Sequence, residues 1–264
     1  MTNKDLLAER FGLPGQVAII TGAAAGIGRE TAQLFCDAGA RVVIADLNAT
    51  AAETFAAELC AAGHDAIAVA CDVGDEASVQ QLIAKTIEHY KEINILVNCA
   101  GIFPVNKFLE TSSERWDAVQ DINLRGPFLC MREALKHMRA AGNGGRVINV
   151  SSSASIHPSM YDQVPYNCSK AGLNMLTKSA AMEFAADGIN INAVIPAFVI
   201  TEGAIASHKE TPQRRGAALN PDRRLLGRLG APVEIANAIL FLASPAAGYI
   251  TGHLLAADGG FSIS

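Results

Sequence analysis

The chain has 264 residues, half of them hydrophobic and 18% charged, with a formal net charge of −5. Such a composition can bury a substantial core and argues against disorder, and its mild acidity excludes the electrostatic footprint of a nucleic-acid or anionic-membrane binder. Six cysteines without a CxxC pair and six histidines without an HxxH or HExxH pattern point to buried reduced thiols and to no metal site.

In chain order, the opening MTNKDLLAERFGLPG is mixed and charged, unlike a secretory signal, so a cytoplasmic address is expected. Short apolar, β-branched runs then recur: VAIIT (17–21), RVVIAD (41–46), DAIAVA (65–70), INILVN (93–98), GRVINVSS (145–152), ININAVI (189–195) and LLAAD (254–258). Near-continuous apolar runs suit a parallel sheet covered on both faces. Helical windows at 27–38, 49–62, 75–91, 114–140 and 163–187 separate them. The alternation predicts right-handed βαβ units in an α/β, doubly wound, mostly parallel seven-stranded sheet, one domain spanning 1–264. The longest apolar stretch, INAVIPAFVI, is too short to span a bilayer. Residues 202–228 break the rhythm: they are polar, with two prolines and clustered arginines. Long excursions after a strand end, on the ligand-binding edge of such a sheet, are expected to act as substrate lids.

Directly after the first strand comes TGAAAGIG, which sets Gly22, Ala25, Gly26, Ile27 and Gly28 between a strand and a helix. Glycines there let the backbone turn sharply and approach a pyrophosphate at the positive end of the helix. Asp46 ends the second strand, 18 residues beyond Gly28, with Leu47 beside it. An acid at that position binds the adenosine ribose hydroxyls and repels a 2′-phosphate. NAD is therefore the expected cofactor rather than NADP.

Further on, YNCSK puts Tyr166 and Lys170 four positions apart, on one face of a helix. A phenol titrates near about 10, high for a base at neutral pH, and a nearby ammonium would stabilise its ionised form. Alone, such a pair arises by chance in many helices. Tyr90 and Tyr161 lack a lysine four residues on, so Tyr166 is the candidate.

Taken together, the TGxxxGxG loop, the late YxxxK and the chain length resemble the compact branch of the short-chain dehydrogenase/reductase family. The likeness runs from Val17 to the closing YITGHLLAADGG. It implies a Rossmann fold in which Asp72 and Val73 hold the adenine. NCAG (98–101) is similar to the family's NNAG, and INL (122–124) supplies Asn123. Asn98, Ala100, Gly101, Pro196, Val199 and Thr201 are then expected to contact the cofactor, Val199 and Thr201 at the carboxamide. Two departures stand out: Cys99 replaces the second asparagine of NNAG, and Ala197 replaces the glycine after Pro196. By the resemblance Lys170 also grips the nicotinamide ribose, and Asn123 kinks its helix and supports a proton relay.

The same likeness calls for a serine that donates to the reacting oxygen. Counting back 13 residues from Tyr166, the family interval, reaches Ser153, whereas the strand motif GRVINVSS gives Ser152. Strand ends absorb insertions less readily than loops do, so Ser152 is preferred and Ser153 is the alternative. Phe103, Ser152, Ser153, His157, Met160, Tyr161 and Phe198 would form a fairly apolar pocket, suited to a cyclic or bulky secondary alcohol. The expected activity is reversible, NAD-dependent oxidation of that alcohol to a ketone, in a homotetramer, or a dimer, built along the helices at 114–140 and 163–187. Two rivals stand beside it. One is a 3-oxoacyl-thioester ketoreductase whose anionic carrier meets Arg214, Arg215, Arg223 and Arg224. The other is a catalytically silent NAD-sensing protein.

Overall fold

Successive residues of a strand face opposite sides of the sheet, and here both sides are apolar. On β1 (Val17–Thr21), Ala18 and Ile20 enter one core layer while Val17 and Ile19 enter the other, and all four are fully buried. The computed structural model describes residues 3–210, 213 and 215–264. Among them, β1 is joined by β2 (Arg41–Asp46), β3 (Ala66–Ala70), β4 (Ile95–Asn98), β5 (Gly145–Val150), β6 (Ile189–Pro196) and β7 (Leu254–Ala257). They form one sheet in the order 3-2-1-4-5-6-7, every pair parallel.

Two helices, α2 (Gly26–Asp37) and α3 (Ala49–Ala61), follow β1 and β2 and fix the first layer, while α1 (Asn3–Phe11) precedes the sheet and exposes Leu6, Leu7 and Phe11. Phe35, Phe55 and Leu59 pack there against Ile20 and Ile44. The opposite layer comes from α4 (Glu76–Tyr90), α5 (Ser113–Gln120), α6 (Gly126–Ala141) and α7 (Val164–Phe184), with Leu82, Leu129 and Met138 against Ile19 and Leu96. Two more follow β6: α8 (Glu202–Glu210) and α9 (Pro232–Ala243), whose Ile235 and Ile239 return to the first layer. Each fully buried large side chain contributes about 1.5–3 kcal/mol. The strand order reverses between β1 and β4, which opens a crevice beyond their carboxyl ends.

Three differences from the sequence expectation have local causes. The 114–140 window is interrupted by a π-helical turn, Asp121–Arg125, between α5 and α6. Such a bulge comes from one extra residue inside a helix and leaves no periodic signature. The 202–228 segment is not wholly irregular, since it begins with α8 and holds short 3-10 turns at Ala217–Leu219 and Pro221–Arg223. Neither α1 nor α9 was among the expected helical windows, although Pro232 at the start of α9 is a common first-turn residue. Among the described residues, no helix is long and apolar enough to cross a membrane.

Candidate active site

The cofactor side is built from backbone. Gly22 leaves β1 with φ of +65°, and a Cβ there would stand 2.8 Å from the Ala100 Cα. At Gly28 a Cβ would overlap the Gly22 carbonyl, so only glycine lets α2 start this close to the loop. Ala25 caps α2 without a side-chain bond, and no acid occupies the first turn. The bare amides and positive dipole end thus suit a diphosphate. Asp46 Oδ2 accepts the Ala24 amide at 3.0 Å and Oδ1 accepts the Asn48 amide at 2.9 Å, pinning the carboxylate beside the loop. Leu47 next to it is exposed, Asp72 accepts the Gly74 amide at 2.9 Å, and Val73 is buried. Arg29, the nearest cation in sequence, stacks 3.8 Å over the Phe55 ring and pairs with Glu58 at 2.5 Å.

The two departures from the family pattern leave the loops anchored. Thr21 Oγ1 accepts the amides of Cys99 (3.1 Å) and Ala100 (3.2 Å), so the backbone holds this loop whatever side chain stands at 99. The Cys99 thiol is pushed up to about 12 by burial, against the pull of Lys170, and stays neutral. Asn98 donates to Asn149 Oδ1 at 2.8 Å. Beyond Ala197, the Gly230 amide donates to the Phe198 carbonyl (2.9 Å) and the Ile200 amide to the Gly230 carbonyl (3.0 Å). These bonds present Val199 and Thr201 to the cleft without a glycine at 197.

Between the two sides lies a cavity of about 320 Å³. Gly22, Ala25, Gly26, Ile27, Gly28, Ala100, Gly101, Ser152, Ser153, Tyr166, Lys170, Pro196, Phe198, Val199 and Thr201 line it. Pro165 sits in the first turn of α7, where its missing N–H costs nothing, and α7 then carries Tyr166 and Lys170 into the cavity. Phe103 meets the Tyr166 ring edge-on at 6.1 Å. Lys170 is buried, donates to the Val150 carbonyl at 2.8 Å and stands 5.9 Å from the Tyr166 ring centre. Burial lowers its pKa to about 8, with Cys99 acting the other way. Burial pushes the Tyr166 phenol above its ordinary value, and a hydrogen bond with the Ser152 side chain opposes that rise. The expected downward shift of the phenol is thus not produced by the protein alone, because desolvation outweighs the serine and Lys170 is directed at Val150. Of the two serines, Ser152 is the one whose side chain bears on the Tyr166 phenol, its Oγ accepting the Ala154 amide at 3.1 Å; Ser153 is 2% exposed. Asn123 stands in the π turn, fully buried, accepting the Ile102 amide (2.8 Å) and donating to the Ile102 carbonyl (2.7 Å) and Ser169 Oγ (3.2 Å).

Two expected substrate residues are not brought in. His157 is exposed and Tyr161 is 62% exposed; neither lines the cavity, and Tyr161 instead stacks 5.0 Å from the Arg215 guanidinium. The loop after Ser155 swings both outward, while Ser159, Met160 and Gln163 turn inward. Gln163 is buried and donates to the Phe103 carbonyl at 3.4 Å. Nothing in its sequence setting marks it, since one glutamine before a helix is common. Glu202, also missed, reaches 3.9 Å from where a Gly26 Cβ would stand. Among the arginines proposed for an anionic carrier, Arg223 donates to the Ser264 carbonyl at 2.6 Å and stacks on Phe261; Arg214 lies outside the described residues.

A parallel sheet in this order, with a glycine loop at its switch point and a serine, tyrosine and lysine beside it, defines a dinucleotide-binding oxidoreductase class. The chain belongs to the short-chain dehydrogenase/reductase family, whose members use a nicotinamide cofactor. A family model described as Enoyl-(Acyl carrier protein) reductase matches residues 22–262. The chain is 41% identical over 248 residues to a cis-4-hydroxycyclohexanecarboxylate dehydrogenase of Sinomonas cyclohexanicum, covering 94% of this chain and 96% of the relative. It is 39% identical over 254 residues to a 3-oxoacyl-acyl-carrier-protein reductase of Synechocystis sp., covering 94% and 97%. Among solved structures, a putative NAD(P)-dependent gluconate 5-dehydrogenase from Beutenbergia cavernae with bound NADP at low occupancy superposes with a TM-score of 0.89. That pair is 31% identical and covers 97% of this chain and 100% of the other.

Proposed function

We propose that this protein oxidises a cyclic or bulky secondary alcohol to the ketone, reversibly, with NAD as its cofactor. The observation that carries the reading is the meeting of Ser152, Tyr166 and Lys170 in one cavity beside a glycine loop that Asp46 guards. When bound, an oxidised nicotinamide would supply the hydride acceptor and a positive charge, with Tyr166, Lys170, Val199 and Thr201 as the residues that would hold it. Tyr166 takes the hydroxyl proton of the alcohol, or returns it to the ketone oxygen in reduction. Ser152 donates to that oxygen, where charge develops in the transition state. Lys170 orients the ribose and adds positive charge below about pH 8, where its ammonium is protonated. Asn123 holds Ile102 and Ser169 and so keeps α7 facing the cofactor loop. Because the phenol lies above its ordinary value, reduction is favoured near neutrality and oxidation at alkaline pH.

NAD is preferred on electrostatic grounds. A 2′-phosphate about 4 Å from the Asp46 carboxylate would meet a repulsion of about 1–4 kcal/mol. Arg29, tied to Phe55 and Glu58, is not aimed at relieving it. The NADP-bound neighbour from Beutenbergia cavernae makes the cofactor the first property to measure. Phe103, Met160 and Phe198 give the alcohol side its apolar character, in keeping with the ring substrate named for the Sinomonas relative. The 202–228 segment serves as the lid of a single catalytic domain: Tyr161 donates its amide to the Arg215 carbonyl at 2.9 Å, which ties that segment to the loop after Ser155. Exposed Met175 and Met182 on α7 and Phe128 on α6 support self-association along these helices, in a homotetramer or a dimer, which light scattering on the purified protein would distinguish.

The 3-oxoacyl-thioester reading is kept because of the Synechocystis relative. The test is reduced-cofactor formation with NAD and NADP in parallel. The panel is cis-4-hydroxycyclohexanecarboxylate, cyclic diols, sugar alcohols, hydroxysteroids and 3-hydroxyacyl thioesters, with Tyr166→Phe as control. Turnover with thioesters and NADP alone would transfer the assignment to the second reading. Tight NAD binding without turnover across the panel would instead favour the silent sensor.

A further inference from the structure

Ser152 lies just past the end of β5, on a turn, so its distance from Tyr166 depends on what ties that turn to α7. Lys170 ties its start, through the Val150 carbonyl at 2.8 Å and its own carbonyl accepting Ser151 Oγ at 3.4 Å, and a second side chain of α7 clamps both of its ends. Asn174 is on α7, one turn beyond Lys170 and two beyond Tyr166, and is 8% exposed. Its Oδ1 accepts Ser151 Oγ at 2.7 Å, and its Nδ2 donates to Ser155 Oγ at 2.8 Å. Ser155 Oγ in turn donates to the Ser152 carbonyl at 2.5 Å. The orientation of the amide is fixed by its neighbours: Ser155 gives its one proton to Ser152, so it can only accept from Asn174. An unbroken run of donors therefore passes from Ser151 through Asn174 and Ser155 to Ser152, bracketing the reacting serine on both sides.

We propose that Asn174 is a positioning residue for the reaction: its amide clamps the 151–155 turn to α7 and so sets the Ser152 hydroxyl against the Tyr166 phenol. The proposal rests on the reading of Ser152 as the donor to the reacting oxygen. It requires that Asn174 act through Ser152, whereas an amide that merely satisfies buried groups would act without it. Loss of the clamp removes a donor from the ionised phenol, so the Tyr166 titration moves upward.

The experiment compares Asn174→Ala, Ser155→Ala and Ser152→Ala, singly and in the two double variants with Ser152→Ala. The Tyr166 titration is followed by NMR of ring-carbon-labelled tyrosine with NAD bound, and is assigned with Tyr166→Phe. It needs no alcohol. Turnover of the best alcohol from the panel gives kcat and KM. The expected result is that Asn174→Ala and Ser155→Ala each raise the Tyr166 titration and lower kcat about tenfold, leaving the affinity for NAD unchanged. Neither should have a further effect once Ser152 is alanine. Should Asn174→Ala not fold, the half-buried Ser155 answers the same question. The proposal is overturned if Ser152→Ala moves the titration while Asn174→Ala and Ser155→Ala behave as wild type. It is equally overturned if their losses persist undiminished in the Ser152→Ala background. A Ser152→Ala enzyme with unchanged titration and kcat would overturn the reading of the serine itself, and this proposal with it.

Discussion

The two sides of the cleft are made of different material. On the cofactor side, the turn at Gly22, the approach of Gly28 and the bare start of α2 are backbone features that admit few residue types. On the alcohol side, Phe103, the stretch holding Ser159, Met160 and Gln163, and Phe198 come from three separate segments, and side chains make most of the lining. A family can keep the first side and rebuild the second with little cost to the sheet, because loops tolerate change that a strand-to-helix junction does not. Tyr166 and Lys170 stand on the boundary, held by α7.

This contrast can be broken most forcefully at the boundary. Tyr166→Phe should lower kcat about 10³-fold while leaving NAD affinity as it was, as read by turnover and by quenching of bound NADH fluorescence. Loss of NADH affinity would place the phenol on the cofactor side instead. Lys170→Met should lower kcat about 10²-fold and yet stabilise the fold at neutral pH by about 1–3 kcal/mol, because a charged amine is costly to bury. The sign with pH follows from its folded value of about 8 against an ordinary 10.5. Below pH 8 the full cost is present, and between pH 8 and 10.5 the folded protein gives up its proton first, so wild type gains on the variant. Denaturant melts of both proteins across that window measure the difference.

Smaller effects sharpen the cofactor side and then the alcohol side. Asp46→Ala should improve kcat/KM for NADP relative to NAD by about tenfold or more, measured with both cofactors on one alcohol. An unchanged ratio would mean that Asp46 only staples the glycine loop through Ala24. His157→Ala and Tyr161→Ala should each change kcat/KM less than about twofold, in line with exposed positions away from such features. A large loss at either would show that the 156–162 loop folds over the alcohol during turnover.

What was legible in the sequence follows the same division. All seven strands and a mostly parallel pairing could be read from apolar runs, because the central strands are buried on both faces; the edge strands β3 and β7 are only partly buried. The glycine loop, Asp46 and the YNCSK helix were legible for the related reason that backbone clearance and helical spacing restrict residue type. Anchoring to the strand favours Ser152 and counting through the loop favours Ser153, and both line the cavity. The kink at Asn123 was expected from the resemblance alone; its form, a π turn, was not visible in the apolar pattern, since one inserted residue leaves that pattern nearly intact. His157 and Tyr161, expected at the substrate, stand outside the cavity while Gln163 lines it, because no periodicity governs the course of the loop after Ser155. The upward pull on Tyr166 was hidden as well: spacing sets Lys170 near the phenol, while burial depends on the whole cavity.

The most direct test of the central claim follows one atom. An alcohol from the active panel, carrying deuterium on its carbinol carbon, is oxidised with NAD and with NADP, and the reduced cofactor is weighed by mass spectrometry. One deuterium is expected in NADH, with little product from NADP and a rate about 10³-fold lower with Tyr166→Phe. Deuterium retained in the organic product, or appearing in NADPH alone, would contradict it.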